Sequence, residues 1–248
     1  MCAAAMLAAA CSVKDDRIDC PSVLELDLNE VNASLCPSID LLLYSDNGFR
    51  LTDTLDMTVM RTEYNVPRDR IHIRAWSGGG RFVLERGLDI PLGKDCPRVY
   101  MYDSDVEVLQ ERWREIVMMR KGHCVLTLKL EGEGIMNADL YVVGNVSGYD
   151  VEGRPCEGDF NVRLEEKKPG SGYVVVLPRQ LDSSLRLLID DGSGTARTFA
   201  LGQYITSSGY DWDVPDLDDI SVTLDYALTE ATVVINGWES VYKYEIEI

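Results

Sequence analysis

Apolar and polar residues alternate along most of this chain with a period of two. Leu24, Leu26 and Leu28 interleave with Glu25, Asp27 and Asn29, which is the pattern of a strand with one buried face. The segment IDLLLYSDNGFRLTDTL reads as an apolar strand, a turn at Asp46-Asn47-Gly48 and a returning strand. Asn-Gly between such runs is a hairpin cue, because a tight turn requires positive φ. RIHIRAWSGGG alternates Ile71, Ile73 and Ala75 against Arg70, His72 and Arg74. GRFVLERGLDIPL and RVYMYDSD are further strand candidates.

SDVEVLQERWREIVMM carries both periods. Ser104 with Glu107 makes a capping box, and Leu109, Trp113 and Ile116 have helical spacing, yet residues 114–120 also alternate. The segment is expected to be mostly extended, with one helical turn, as the crossing between two domains. Beyond it come HCVLTLKLEG, ADLYVVGNV, DFNVRLEE, GYVVVLP, SLRLLIDDG, RTFALGQYI, ISVTLDYAL, TVVING and VYKYEIEI. Strands separated by turns, with no helical segments between them, predict an all-β chain of two antiparallel β-sandwich domains. The expected division is a leading segment 1–19, a first sandwich over 20–112 and a second over 113–248. No strict repeat is visible, although each half opens with a similar alternating strand.

Residues 1–19 break the pattern. Met1 to Ala10 carry no charge, Ala8-Ala9-Ala10 precede Cys11, and Lys14-Asp15-Asp16-Arg17 follow. The apolar run is too short to span a bilayer, which needs about 20 residues. It fits the end of a secretory signal, whose apolar core is roughly 7–15 residues long. Cysteine after small residues resembles a bacterial lipobox, so Cys11 is the expected lipidation site, with the translation start expected upstream of Met1. The acidic run then reads as a solvated tether, and it resembles a surface-export tag.

Charge narrows the partners. Over 248 residues, 24 basic against 42 acidic side chains give a net −18, which disfavours nucleic acid. With Cys2 and Cys11 set aside, Cys20, Cys36, Cys96, Cys124 and Cys156 remain. Cys124 lies on the face of Leu126 and Leu128 and is expected to be a buried thiol. Pairing among the other four is open.

Chemistry is sparse. His72 and His123 are isolated, each expected to be solvated or salt-bridged, and no nucleophile elbow, phosphate loop or zinc spacing is present. No catalytic residue, metal site or cofactor is expected. The acidic stretch Tyr210 to Asp219 lacks the glycine turn and aspartate spacing of a calcium loop and reads as solvated carboxylates. Tyr210 and Trp212 are the one aromatic pair placed for a glycan platform, so a tethered carbohydrate-binding module is the alternative function.

One set of segments resembles a known family. Cys11, Lys14 to Arg17, Asp19-Cys20-Pro21, VLELDL, LLLYSDNGFRLTDTL, IRAWSG, CPRVYMYDSD, MMRKGHCVLTLKLEG and VVINGWE together resemble the FimB-type anchor subunits of Bacteroidales fimbriae. The resemblance implies two transthyretin-like sandwiches and a lipoprotein of the outer membrane, palmitoylated and exposed at the surface. It also implies a fimbrial shaft subunit as partner, joined by strand complementation and concerned with cell adhesion. Ser22 stands where the family has a second cysteine, so local pairing of Cys20 stays open. Arg17 stands where shaft subunits are cleaved, but cutting there would discard the lipid and is not expected in an anchor.

Overall fold

The computed structural model describes residues 20–79, 83–131, 138–166, 172–190, 197–225 and 230–243. The first half contributes β1 (Ser22–Asp27), β2 (Ser38–Tyr44), β3 (Arg50–Asp56), β4 (Arg61–Val66), β5 (Arg70–Ser77), α1 (Val83–Arg86), β6 (Leu88–Asp89), β7 (Tyr100–Glu107), β8 (Arg112–Ile116) and β9 (Arg120–Lys121). The second contributes β10 (His123–Glu131), β11 (Asp139–Tyr149), β12 (Pro155–Arg163), β13 (Tyr173–Pro178), β14 (Arg186–Asp190), β15 (Arg197–Phe199), α2 (Leu201–Ser207), β16 (Ile220–Asp225), β17 (Glu230–Ile235) and β18 (Trp238–Lys243).

In the first half a three-stranded sheet, ordered β4-β1-β8, faces a five-stranded sheet, ordered β3-β2-β5-β7-β9. Leu24, Leu26, Leu41, Leu43, Ile71 and Ile73 are fully buried in their shared core. These are the residues whose period-two spacing puts them on one face of each strand. In the second half the sheet β13-β10-β16-β17-β18 faces β12-β11-β14-β15 over a core that includes Leu126, Leu128, Val142, Leu187 and Val222.

The halves follow one plan. β1 pairs antiparallel with β4 and parallel with β8; β10 pairs antiparallel with β13 and parallel with β16. On the facing sheets, β2 lies between β3 and β5 as β11 lies between β12 and β14, all antiparallel. Each otherwise antiparallel sandwich thus carries one parallel pair. The repeat is one of topology, and the β17–β18 hairpin is an addition beyond it, extending the sheet next to β16.

Several segments differ from their sequence reading. Residues 100–107 and 112–116 are strands joined through a bend, and Ser104 and Glu107 lie within β7, so no helical turn forms. Burial of Val106 against the first core outweighs the local capping signal. In RTFALGQYI only Arg197–Phe199 is strand, and Leu201–Ser207 is helical. Leu201 and Ile205, one turn apart, are both fully buried, and Gly202 lets the helix approach the backbone of Ser183. GRFVLERGLDIPL yields the short helix α1 and the two-residue β6, and its residues 80–82 fall outside the described ones. The hairpin at Asn47-Gly48 forms as expected, closed by the Ser45 N–H donating to the Phe49 carbonyl at 3.0 Å.

On the outer face of the small sheet, Arg61, Arg112 and Arg114 form a ladder with Glu25, Asp27 and Glu63. Asp27 is almost fully buried. Arg114 and the Asn29 backbone N–H donate to its carboxylate and hold its pKa down, from 3.8 to about 2. A folded pKa below the unfolded one contributes stability above the unfolded value, and that contribution is lost as pH falls through the folded value. Acid titration followed by tryptophan fluorescence is therefore expected to show stability falling between pH 4 and 2. In Asp27→Asn that dependence is expected to flatten, and a slope equal to wild type would assign the titration elsewhere.

The two halves share more than a linker. Trp76 and Leu42, on the outer face of the large first sheet, belong to the core of the second half. Trp76 meets Tyr149 edge-on, with centroids 6.3 Å apart.

Candidate functional site

β-Sandwiches expose their backbone only at sheet edges, so the edges are where this fold offers main-chain hydrogen bonds to a partner. Most of the edges are blunted. Arg61, Glu63 and Asn65 stand exposed on β4, and Arg50, Asp53 and Asp56 on β3. The Cys96 N–H covers β13 by donating to the Val176 carbonyl at 3.0 Å, and the Gly93 N–H covers β12 by donating to that of Asn161 at 2.7 Å.

β8 and β18 make the informative contrast. β8 is the topological counterpart of β16, yet nothing pairs with it beyond β1. Its Glu115, flanked by exposed Arg112 and Arg114, lies on the half-buried side. There it accepts hydrogen bonds from Tyr102 Oη at 2.6 Å, Ser104 Oγ at 2.9 Å and Trp113 Nε1 at 3.1 Å. A charge turned inward on an edge strand is a device against unwanted pairing. β18 turns no charge inward among its described residues, although Glu239 and Lys243 stand exposed on it. Among the described residues it pairs only with β17, and Trp238 is 82% and Val241 56% exposed. Asn236 and Gly237, with φ of 49° and 79°, make the tight turn that sets its register. Tyr242 holds the strand down, reaching Ser208 Oγ at 3.2 Å and packing edge-on to Tyr204. The result is a backed edge whose exposed side chains are Trp238, Glu239, Val241 and Lys243.

The residues singled out from sequence lie elsewhere. Cys11 and the tether Lys14 to Arg17 fall outside the described residues. Tyr210 and Trp212 are 7% and 5% exposed and pack edge-on at 4.6 Å. They are core, not a platform, because Tyr210 Oη donates to the Asp218 carbonyl at 2.7 Å and draws the loop inward.

The carboxylates of the acidic loop are mostly exposed, as expected, and two of them also bind the crossing between the halves. Asp216 accepts from Arg120 Nη1 at 2.9 Å and the Lys121 N–H at 2.8 Å, while Asp219 accepts from Lys121 Nζ at 2.5 Å and the Val125 N–H at 2.8 Å. These bonds overcome burial and keep the Asp219 carboxyl below its ordinary value. The loop clasps the crossing between the halves beside a crevice of about 630 Å³.

His72 is salt-bridged as expected. Its Nδ1 lies 2.7 Å from Asp105 and its ring stacks on Tyr44 at 4.5 Å. His123 is not solvated; it is buried with Nδ1 against the backbone of Val99, and desolvation lowers its pKa. All five described cysteines are free thiols. Cys124 is fully buried as expected, and burial pushes both Cys96 and Cys124 up to about 12, which leaves them thiols rather than reactive thiolates. Among the described residues no group of His, Cys, Asp and Glu could hold a metal, and no helix is long and apolar enough to cross a membrane.

No protein-family model matches this chain, and no curated protein matches it in sequence. Solved structures do. A Bacteroides thetaiotaomicron protein described as a candidate polysaccharide-binding protein superposes with a TM-score of 0.65 at 14% identity, over 92% of this chain and 99% of that one. A candidate adhesin from Bacteroides ovatus gives 0.62 at 12% identity, over 93% and 97%. The fimbrial anchor protein Mfa2 from Porphyromonas gingivalis gives 0.60 at 12% identity, over 91% and 100%. At these identities the likeness is one of fold, and it extends through both sandwiches: this chain has the two-sandwich architecture of a fimbrial anchor protein and of adhesin-like surface proteins.

Proposed function

We propose that this chain is a fimbrial anchor subunit, tethered to the outer membrane by lipid on Cys11, that holds a shaft subunit by strand addition at β18. The observation that carries the reading is the open edge. Among the described residues nothing pairs with the outer edge of β18, which exposes Trp238 and Val241 alongside Glu239 and Lys243, and strand addition uses free backbone for affinity and side chains for register. The fold shared with Mfa2 supports the anchor role, and Ala8-Ala9-Ala10-Cys11 supports the tether. The role is one of binding, without catalysis. The alternative of a carbohydrate-binding module resting on Tyr210 and Trp212 loses its platform to burial.

Two measurements test the two parts. Precursor expressed with its upstream start is expected to incorporate labelled palmitate and partition into detergent, and label retained in Cys11→Ser would remove the tether from the reading. A peptide copying the terminal strand of a shaft subunit encoded beside this chain is expected to bind purified protein and raise its Tm, since a ligand of the folded state stabilises it by mass action. Absence of binding at high micromolar concentration, by the peptide and by the intact subunit, would remove the strand-addition mechanism.

A further inference from the structure

The outer face of the second sandwich carries a polar cup far in sequence from β18. In register, Asn161 of β12, Val143 of β11 and Arg186 of β14 lie side by side across three strands. Asn145 follows two residues beyond Val143, on the same face. Opposite Asn145 the ladder slips: Gly144 pairs with Phe160 and Val146 with Glu157, so Gly158 and Asp159 together face one residue. Such a bulge re-aims the side chains beside it. Gly158 packs against Ser147, where a Cβ would collide. The loop bearing Leu92 forms one wall, held by the Gly93 N–H on the Asn161 carbonyl. The depression is open to solvent and has a volume of about 410 Å³.

The lining has a consistent chemistry. Asp159 and Arg186 bring opposite charges, and Asn145 and Asn161 bring amides, so the site has donors and acceptors without a net charge. Val143 and the largely exposed Leu92 supply apolar contact. Asn145 donates through Nδ2 to Asp182 at 3.1 Å, which fixes its amide, while its buried Oδ1 has no protein donor. Asn145 lines the cup, and its amide has one further N–H to donate. Strand spacing makes the grid about 10 Å across and about 7 Å along, the footprint of one six-membered polyol ring.

We propose that this cup binds a neutral sugar residue of a glycan, with hydroxyls on Asn145, Asp159, Asn161 and Arg186 and the ring's apolar face on Val143 and Leu92. It rests on none of the residues of the strand-addition reading. Among the described residues no exposed aromatic ring lines it, so a bound sugar has no ring to stack on.

The test is NMR titration of the folded chain with the methyl glycosides of glucose, galactose, mannose and N-acetylglucosamine. At least one is expected to give saturation transfer and to shift the side-chain amide signals of Asn145 and Asn161. Asn145→Ala and the exposed Asn161→Ala are each expected to weaken it about tenfold, the worth of one hydrogen bond, with Tm unchanged in the second. Trp238→Asp is expected to leave sugar binding untouched. Silence from all four sugars, equal affinity in both variants, or inorganic phosphate shifting the same amides while the sugars do not, would each overturn the proposal.

Discussion

Tyr149→Phe is expected to destabilise the protein by about 2–4 kcal/mol, a large effect for the loss of one oxygen. The ring is 2% exposed. Its hydroxyl donates to the Gly122 carbonyl and accepts from the Arg179 N–H at 2.6 Å. Phenylalanine would keep the packing against Trp76 and leave both backbone groups without a partner, and each orphaned buried group costs about 1–3 kcal/mol. The three elements joined there are the crossing at Gly122, β11 and the strand end after β13, so the loss falls at the junction of the halves. Urea denaturation with matched m-values measures it. As a control, Tyr141→Phe, at a half-exposed position, is expected to change stability by less than about 0.5 kcal/mol. A cost below about 1 kcal/mol for Tyr149→Phe would mean that the junction does not depend on this hydroxyl.

Val241→Asp combined with Trp238→Asp is expected to abolish capture of a partner strand, lowering affinity by about a hundredfold or more while Tm moves by only a few degrees. The separation of effects follows from exposure. Both side chains stand mostly in solvent, so their removal costs the fold little. A docked strand would cover them, and each buried aliphatic or aromatic side chain contributes about 1.5–3 kcal/mol. Introducing outward carboxylates adds charge to an edge strand, another of the devices that oppose pairing. Surface plasmon resonance against the shaft subunit reads the outcome. Unchanged affinity would move the acceptor away from β18 without touching the anchor role or the tether.

Strand identity was legible in the sequence because it depends on a local rule. Leu24, Leu26 and Leu28, or Cys124, Leu126 and Leu128, sit every second residue, and only an extended backbone puts such residues on one face. The all-β class, the hairpin at Asn47-Gly48 and the burial of Cys124 followed directly. The same rule misread Leu201–Ser207, where the i to i+4 pair Leu201 and Ile205 found a buried groove that alternation alone did not announce.

The candidate site was not legible in that way, and the reason is physical. VYKYEIEI looks like any other strand, and its residues 244–248 lie outside the described ones; that β18, which includes Val241 to Lys243, is last in the order of its sheet while β10 lies inside one depends on pairings between residues far apart in sequence. Tyr210 and Trp212 look like a surface pair until Tyr210 Oη reaches the Asp218 carbonyl. Asp216 and Asp219 look unpaired until Arg120 and Lys121, nearly a hundred residues earlier, are brought to them. The repeat of topology between the halves escaped notice because pairing constrains which strands adjoin and not which side chains they carry. Sequence alone therefore determined which segments extend, which faces are apolar and how strongly acidic the chain is, since each is a property of neighbouring residues. Only the tertiary structure decided which edge stays open, which carboxylates are clamped and where a polar cup forms, because each arises where segments distant in the chain meet.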